Sequence, residues 1–201
     1  SGWTFRGTLK MNWGVWLHEH GRDADAVYRD AVASFDRALA LNANDVETWA
    51  TRGLTYVNWA NDAVDHGADP GEMHARAEAD FNRSIELNPR NPESWQHRGL
   101  LRCSRALAKS RTGQDPGPDF EAGLADYAQA HELDPQSAET ANHLGDAWAN
   151  YGTKVEERGD GYGFDPRIDL TLKISGEGVW TWKNLDSANE FKAPAKGPDP
   201  K

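Results

Sequence analysis

A single interval organises this chain. Gly7, Gly53, Gly99 and Gly145 recur every 46 residues (53 − 7 = 46). Trp3, Trp49 and Trp95 keep that interval, as do Arg6, Arg52 and Arg98, and as do Phe35, Phe81 and Tyr127. Leu41, Leu87 and Leu133 follow it too, and so do Gly21, Gly67, Gly113 and Gly159. Agreement at so many positions, with no gap, means that one unit is written three times and the front half of a fourth follows. Such a unit cannot bury its apolar faces alone, so the chain must fold by stacking each copy on its neighbours.

Within a unit the apolar spacing is helical twice over. Between Asn44 and His66, the residues Trp49, Gly53, Tyr56 and Ala60 fall on one face at steps of four, three and four. The breaker-rich turn Gly67-Ala68-Asp69-Pro70-Gly71 follows, and it returns as Gly113-Gln114-Asp115-Pro116-Gly117. A second helix carries Ala77, Phe81, Ile85 and Leu87 and stops at Asn88-Pro89, as its counterpart stops at Asp134-Pro135. Each unit therefore reads as an antiparallel helical hairpin.

The anchors Trp49-x-x-Arg52-Gly53-x-x-Tyr56, then Ala77, Phe81 and Pro89, resemble the tetratricopeptide repeat, and Trp95, Arg98, Gly99, Gly123, Tyr127, Ala130 and Pro135 repeat the match. The resemblance covers roughly residues 3 to 158. It implies an all-α, right-handed superhelical solenoid of antiparallel hairpins over residues 1–158. The units lie near 3–42, 45–88 and 91–134, with a half unit at 137–158. The family repeat is about 34 residues long, so each unit here carries about 12 more. We expect longer helices, about six residues or 9 Å added to each at 1.5 Å per residue.

In the resembled family the first helices line a concave groove that receives peptides or partner helices. Carried over by position, the lining is Thr8, Met11 and Asn12 in the first unit and Ala50, Leu54, Val57 and Asn58 in the second. Gln96, Leu100 and Cys103 follow in the third, and Asn142, Asp146 and Asn150 in the fourth. Asn12, Asn58 and Asn150 are repeat equivalents with Ser104 between them, and a row of amides can hold an extended backbone through both donors and acceptors. The family subset that grips a C-terminal carboxylate uses Lys and Arg at groove positions where this chain has Ala50, Leu54, Gln96 and Leu100. The implied partner is a protein or peptide of neutral or basic character.

Other chemistry finds little support. A formal charge of −10, with Lys and Arg scattered among Asp and Glu, argues against nucleic acid. No run of about 18 apolar residues is present to insert into a membrane. The single cysteine, Cys103, excludes a disulfide framework and a multi-cysteine zinc site. His18 and His20 point roughly 200° apart on a helix, and no nucleophile elbow, phosphate loop or metalloprotease motif appears. We expect no metal, no cofactor and no catalytic activity. Among the tryptophans, Trp3, Trp49, Trp95 and Trp148 are assigned to hairpin cores or stacking faces, and Trp13, Trp16 and Trp59 to packing of the added turns.

The fourth unit breaks the pattern. Arg167 to Ile174 alternates apolar and polar residues, Ser175 to Gly178 is a turn, and Val179 to Lys183 can return as a second strand. Residues 159–192 thus read as a cap or strand-like segment, and 193–201 as a tail or linker. The missing second helix would leave Ala141, Gly145, Trp148 and Tyr151 uncovered. That motivates a second functional reading, an assembly element whose C-terminal segment caps the array or mediates self-association, with Trp180 and Trp182 as anchors.

Overall fold

The computed structural model describes residues 1–157 and the short segments 173–174 and 180–181, with side chains through Tyr151. Seven helices occupy the described residues: α1 (Gly2–Glu19), α2 (Asp25–Leu41), α3 (Val46–Asp65), α4 (Gly71–Leu87), α5 (Pro92–Arg111), α6 (Gly117–Leu133) and α7 (Ala138–Glu157). The chain divides into two units, Ser1–Ala147 and Trp148–Lys201. In the first, α1 pairs with α2, α3 with α4 and α5 with α6; α2 packs on α3, α4 packs on α5, and α1, α3 and α5 lie side by side. The result is the helical repeat solenoid that the 46-residue interval implies. α3 and α4 are 20 and 17 residues long, with only residues 66–70 between them, so the added residues lengthen helices and not loops.

Each hairpin turns by the same device. Gly21, Gly67 and Gly113 adopt positive φ of 63°, 77° and 74°, in the left-handed region where a side chain is strained. The amide of Gly67 donates to the Val64 carbonyl and that of Ala68 to the Ala63 carbonyl, satisfying two of the orphan acceptors at the end of α3. Two residues on, the Asp69 carboxylate accepts from the Gly71 amide at 2.9 Å, as Asp115 does from Gly117 at 3.0 Å and Asp23 from Asp25 at 2.9 Å. The turn sequence is thus a stop signal for one helix followed by a start signal for the next.

The glycines of the first helices are set by the aromatics of the second. A Cβ placed on Gly7 would lie 2.7 Å from the Phe35 ring, and one on Gly53 would lie 2.7 Å from Phe81. On Gly99 the closest approaches, 3.1 Å, are to Tyr127 and the Gly123 carbonyl. Absence of a side chain on one helix lets the ring of the other seat fully, and Phe35, Phe81 and Tyr127 are buried. Gly145 keeps the position but meets no described atom within 4 Å, because its unit has no second helix at that place among the described residues.

Arg52 and Arg98 hold three helices together. Arg52 donates to both oxygens of buried Asp80 on α4, at 2.8 and 2.6 Å, and to Asp36 on α2 at 2.6 Å. Arg98 does the same with Asp126 on α6 and Asn82 on α4. Each guanidinium also lies over the tryptophan three residues earlier, 4.7 Å from the Trp49 ring centre and 4.9 Å from that of Trp95. Those indoles are half-buried at the turn between units, not in the core, and donate to the Ala43 and Pro89 carbonyls.

The second unit begins within α7. Trp148 and Tyr151 are both buried, with ring centres 6.2 Å apart, so that part of the face expected to stand uncovered is covered. Lys173–Ile174 (β1) and Trp180–Thr181 (β2) pair antiparallel, with Lys173 opposite Thr181 and Ile174 opposite Trp180. They are the portions of the expected strands that fall on described residues. The rest of the 159–192 segment, Trp182 and the 193–201 tail lie outside them.

Candidate functional site

Equivalent residues of the first helices form rows running from helix to helix, and burial sorts the rows. Met11, Val57 and Cys103 are one row, and all three are buried, at 8%, 0% and 8% exposure. A Cβ on Gly123 of α6 would sit 2.7 Å from the Cys103 sulfur, so this row points into the hairpin. Burial also pushes the Cys103 thiol up to about 12, which leaves it a small apolar packing group at neutral pH.

Ala50 and Gln96 are buried for a different reason: they lie in the seam between successive first helices. Gln96 accepts from the Thr140 hydroxyl at 2.7 Å, and the equivalent contact two seams earlier joins the hydroxyls of Thr4 and Thr48 at 2.9 Å. The accessible face is therefore narrower than the residues expected to line it.

What remains open is a pair of adjacent rows. Thr8, Leu54 and Leu100 are half-buried, and Asp146 is exposed; Asn12 is exposed, Asn58 half-buried, and Ser104 lies between. Asn142 is exposed on the first turns of α7, and Asn150 is exposed on the part of α7 that belongs to the second unit. The structure extends the face beyond the family positions. Along α3 the open residues are Leu54, Asn58, Asn61 and Asp65, at steps of four, three and four; along α5 they are Leu100, Ser104, Leu107 and Arg111. Ser104 donates to the Asn61 side chain at 2.9 Å, tying the two helices across a cleft of about 200 Å³. Sequence reasoning stopped at Asn58 and Ser104, where the family's shorter helices end; continuing the same steps reaches Asn61 and Leu107.

The added turns are finished differently in each unit. In the second, Tyr56 and Trp59 stack at 6.3 Å and the Trp59 indole donates to Asp25 of α2. In the third, the equivalent positions are Arg102 and Arg105. Arg102 pairs with Glu78 and Asp126, Arg105 with Glu78 and Asp119, and Lys109 with Asp119. Charge–charge hydrogen bonds hold Glu78 and Asp119 below the usual carboxylate range despite their burial. Trp13 and Trp16 do not pack the added turns of the first unit: they are 55% and 46% exposed.

Histidines work at the seams. His97 sits against the Phe81 ring and His143 against Tyr127, each on the second helix of the preceding hairpin. His18 meets buried Asp62 of α3 at 3.2 Å, whereas His20 bonds its own Trp16 carbonyl, so the two point to different partners.

No family model matches this sequence, and neither does any curated protein. Solved structures do. The NMR structure of the first TPR domain of the human RPAP3 protein is 18% identical with a TM-score of 0.50, covering 79% of this chain and 99% of that one. The first TPR of Spaghetti (RPAP3) bound to HSP90 peptide SRMEEVD is 18% identical with a TM-score of 0.47, over 73% of this chain and 96% of that one. The second TPR domain of human RPAP3, in complex with HSP70 peptide SGPTIEEVD, is 16% identical with a TM-score of 0.45, over 71% and 95%. With the repeat and the hairpin geometry, the first of these likenesses shows the fold: an all-α solenoid of antiparallel hairpins of the tetratricopeptide-repeat kind.

Proposed function

We propose that the array is a protein-interaction module that seats an extended, neutral or basic peptide along its first helices. The observation that carries this reading is the pair of accessible rows across α1, α3 and α5, uncharged along Thr8, Leu54 and Leu100 and amide- or hydroxyl-bearing along Asn12, Asn58 and Ser104. Leucines offer shallow apolar contact, and amides pair with a peptide backbone whatever its side chains. Exposed Glu47, Glu93 and Glu139 stand at equivalent places in the first turns of α3, α5 and α7. They favour a basic segment and repel an acidic one.

The test is selection from a random peptide library on the immobilised chain, followed by affinity measurement. Peptides rich in Lys or Arg should be enriched, and Asn12→Arg with Asn58→Arg should weaken them roughly tenfold or more. Unchanged affinity in the double variant would move the interface off these rows. Enrichment of acidic peptides would sink the charge assignment.

A further inference from the structure

The outer face of α1 carries a stripe that nothing in the array covers. Phe5, Leu9, Trp13 and Trp16, at steps of four, four and three, are 67%, 53%, 55% and 46% exposed. They lie on one side of the helix. A contiguous patch of three aromatics and a leucine is unusual on a solvated surface and marks a contact surface.

The repeat itself shows what covers that stripe. The equivalents of Leu9 are Thr55, Leu101 and Ala147, at 0%, 0% and 3% exposure. Leu101 belongs to one apolar cluster with Ala77 and Phe81 of α4, the second helix of the preceding hairpin. The equivalent of Phe5 in the third unit, His97, lies against that same Phe81 ring at 5.9 Å, and His143 repeats the contact on Tyr127 of α6. The equivalent of Trp13 in the second unit, Trp59, bonds Asp25 of α2. Three times over, the positions of Phe5, Leu9 and Trp13 are the seat of a second-type helix, and on α1 that seat is empty.

We infer that the α1 stripe docks an amphipathic helix of the α4 kind, with a small residue, an aromatic four on and an aliphatic four beyond that, as in Ala77, Phe81 and Ile85. The stacking mode is the one already built between the hairpins, so the docked helix would continue the array. Phe5, Leu9 and Trp13 form an i±4n ridge, the class that most often packs into a matching helix groove. Two aromatics and a leucine at the centre supply the anchors that dominate such contacts. The stripe borders the peptide rows at Asn12, which stands three residues from Leu9 and four from Trp16 on α1.

The probe is a fluorescent peptide with the sequence of Gly71–Leu87, stapled between Ala75 and Ala79, both of which face solvent in α4. Its anisotropy is followed against the full chain. Saturable binding is expected, weakened roughly tenfold or more by Leu9→Asp or Trp13→Glu in the chain. Phe81→Ala in the peptide alone should do the same, which keeps the result independent of any folding defect. Asn58→Arg should leave binding unchanged. No saturation at millimolar chain, or binding indifferent to Leu9→Asp and Phe81→Ala, overturns the proposal. So does sedimentation showing that the chain self-associates through this stripe, which would make a second copy the occupant.

Discussion

At the scale of single residues, the contrast between equivalent glycines is the sharpest consequence of the structure. Gly53→Ala forces a methyl to within 2.7 Å of a buried ring and should cost about 1–3 kcal/mol, the range of overpacked cores. Gly145→Ala meets no described atom within 4 Å and removes a flexible residue from a helix, so it should be neutral or stabilise by about 0.5–1 kcal/mol. Urea denaturation of both variants distinguishes the two, and a matching loss in each would mean that the ring contact is not what selects glycine. Arginines divide in the same way. Arg52→Ala strands a buried Asp80 carboxylate and should cost about 3–5 kcal/mol. Arg76→Ala breaks only an exposed pair with Glu72 and should cost less than about 1 kcal/mol.

At the scale of elements, two histidines of the second hairpin respond to pH in opposed senses. His66, at the end of α3, is raised above its ordinary 6.5 by its hydrogen bond to the Asp62 carbonyl and then by the Asp62 charge. A raised folded value stabilises below pH 6.5, and that contribution is lost as pH climbs through the folded value. His74, buried on α4 with an unpartnered Nε2, is lowered by burial and then by Arg105. Its contribution is present above pH 6.5 and is lost as the unfolded chain gains a proton that the folded one resists. Denaturation midpoints across pH 5 to 8 should therefore lose their acid-side decline in part with His74→Leu, and their decline above 6.5 in part with His66→Asn. Identical profiles in both variants would mean that neither histidine titrates as described.

The placement of these groups also shows how far sequence reached at this scale. The helical hairpins and the glycine turns follow from spacing and breaker residues, which act locally, whereas the seating of Phe81 on Gly53 came only with the packed hairpin. The role of Arg52 did not follow: its partners are 16 residues behind and 28 ahead, on two different helices, and only the stacked array brings them to one guanidinium. The ionic finish of the third hairpin is the same case, since Arg102 and Arg105 replace Tyr56 and Trp59 without any change in helical pattern.

For the array as a whole, the principal contacts among the described residues run between neighbouring helices, so stability should be graded along it. α3 and α4 are stacked on both sides, whereas α1 has one bare face. Hydrogen exchange should be slowest in α3 and α4 and faster in α1. Docking the stapled helix peptide should slow α1 selectively, and a uniform exchange rate across α1 to α4 would mean that the hairpins unfold as one block.

The repeat, its two helices per unit and the residues that end each helix were legible in the amino-acid order, because periodicity and backbone stereochemistry are local properties. The candidate peptide rows were placed on the first helices by the family resemblance and remain a proposal. Tertiary structure alone decided which of those positions stay open. A first helix is flanked by its own second helix, by the preceding hairpin and by the next first helix, and these divide its circumference between them. Periodicity places Met11, Val57 and Cys103 only one helical step from Thr8, Leu54 and Leu100. How far the helices rotate toward one another is set by the side chains meeting between them, such as Cys103 on Gly123 and Gln96 on Thr140, and that rotation buries the first row and leaves the second accessible. The same physics left Trp13 outside, for its position matches that of Trp59 and only the helix that would cover it differs.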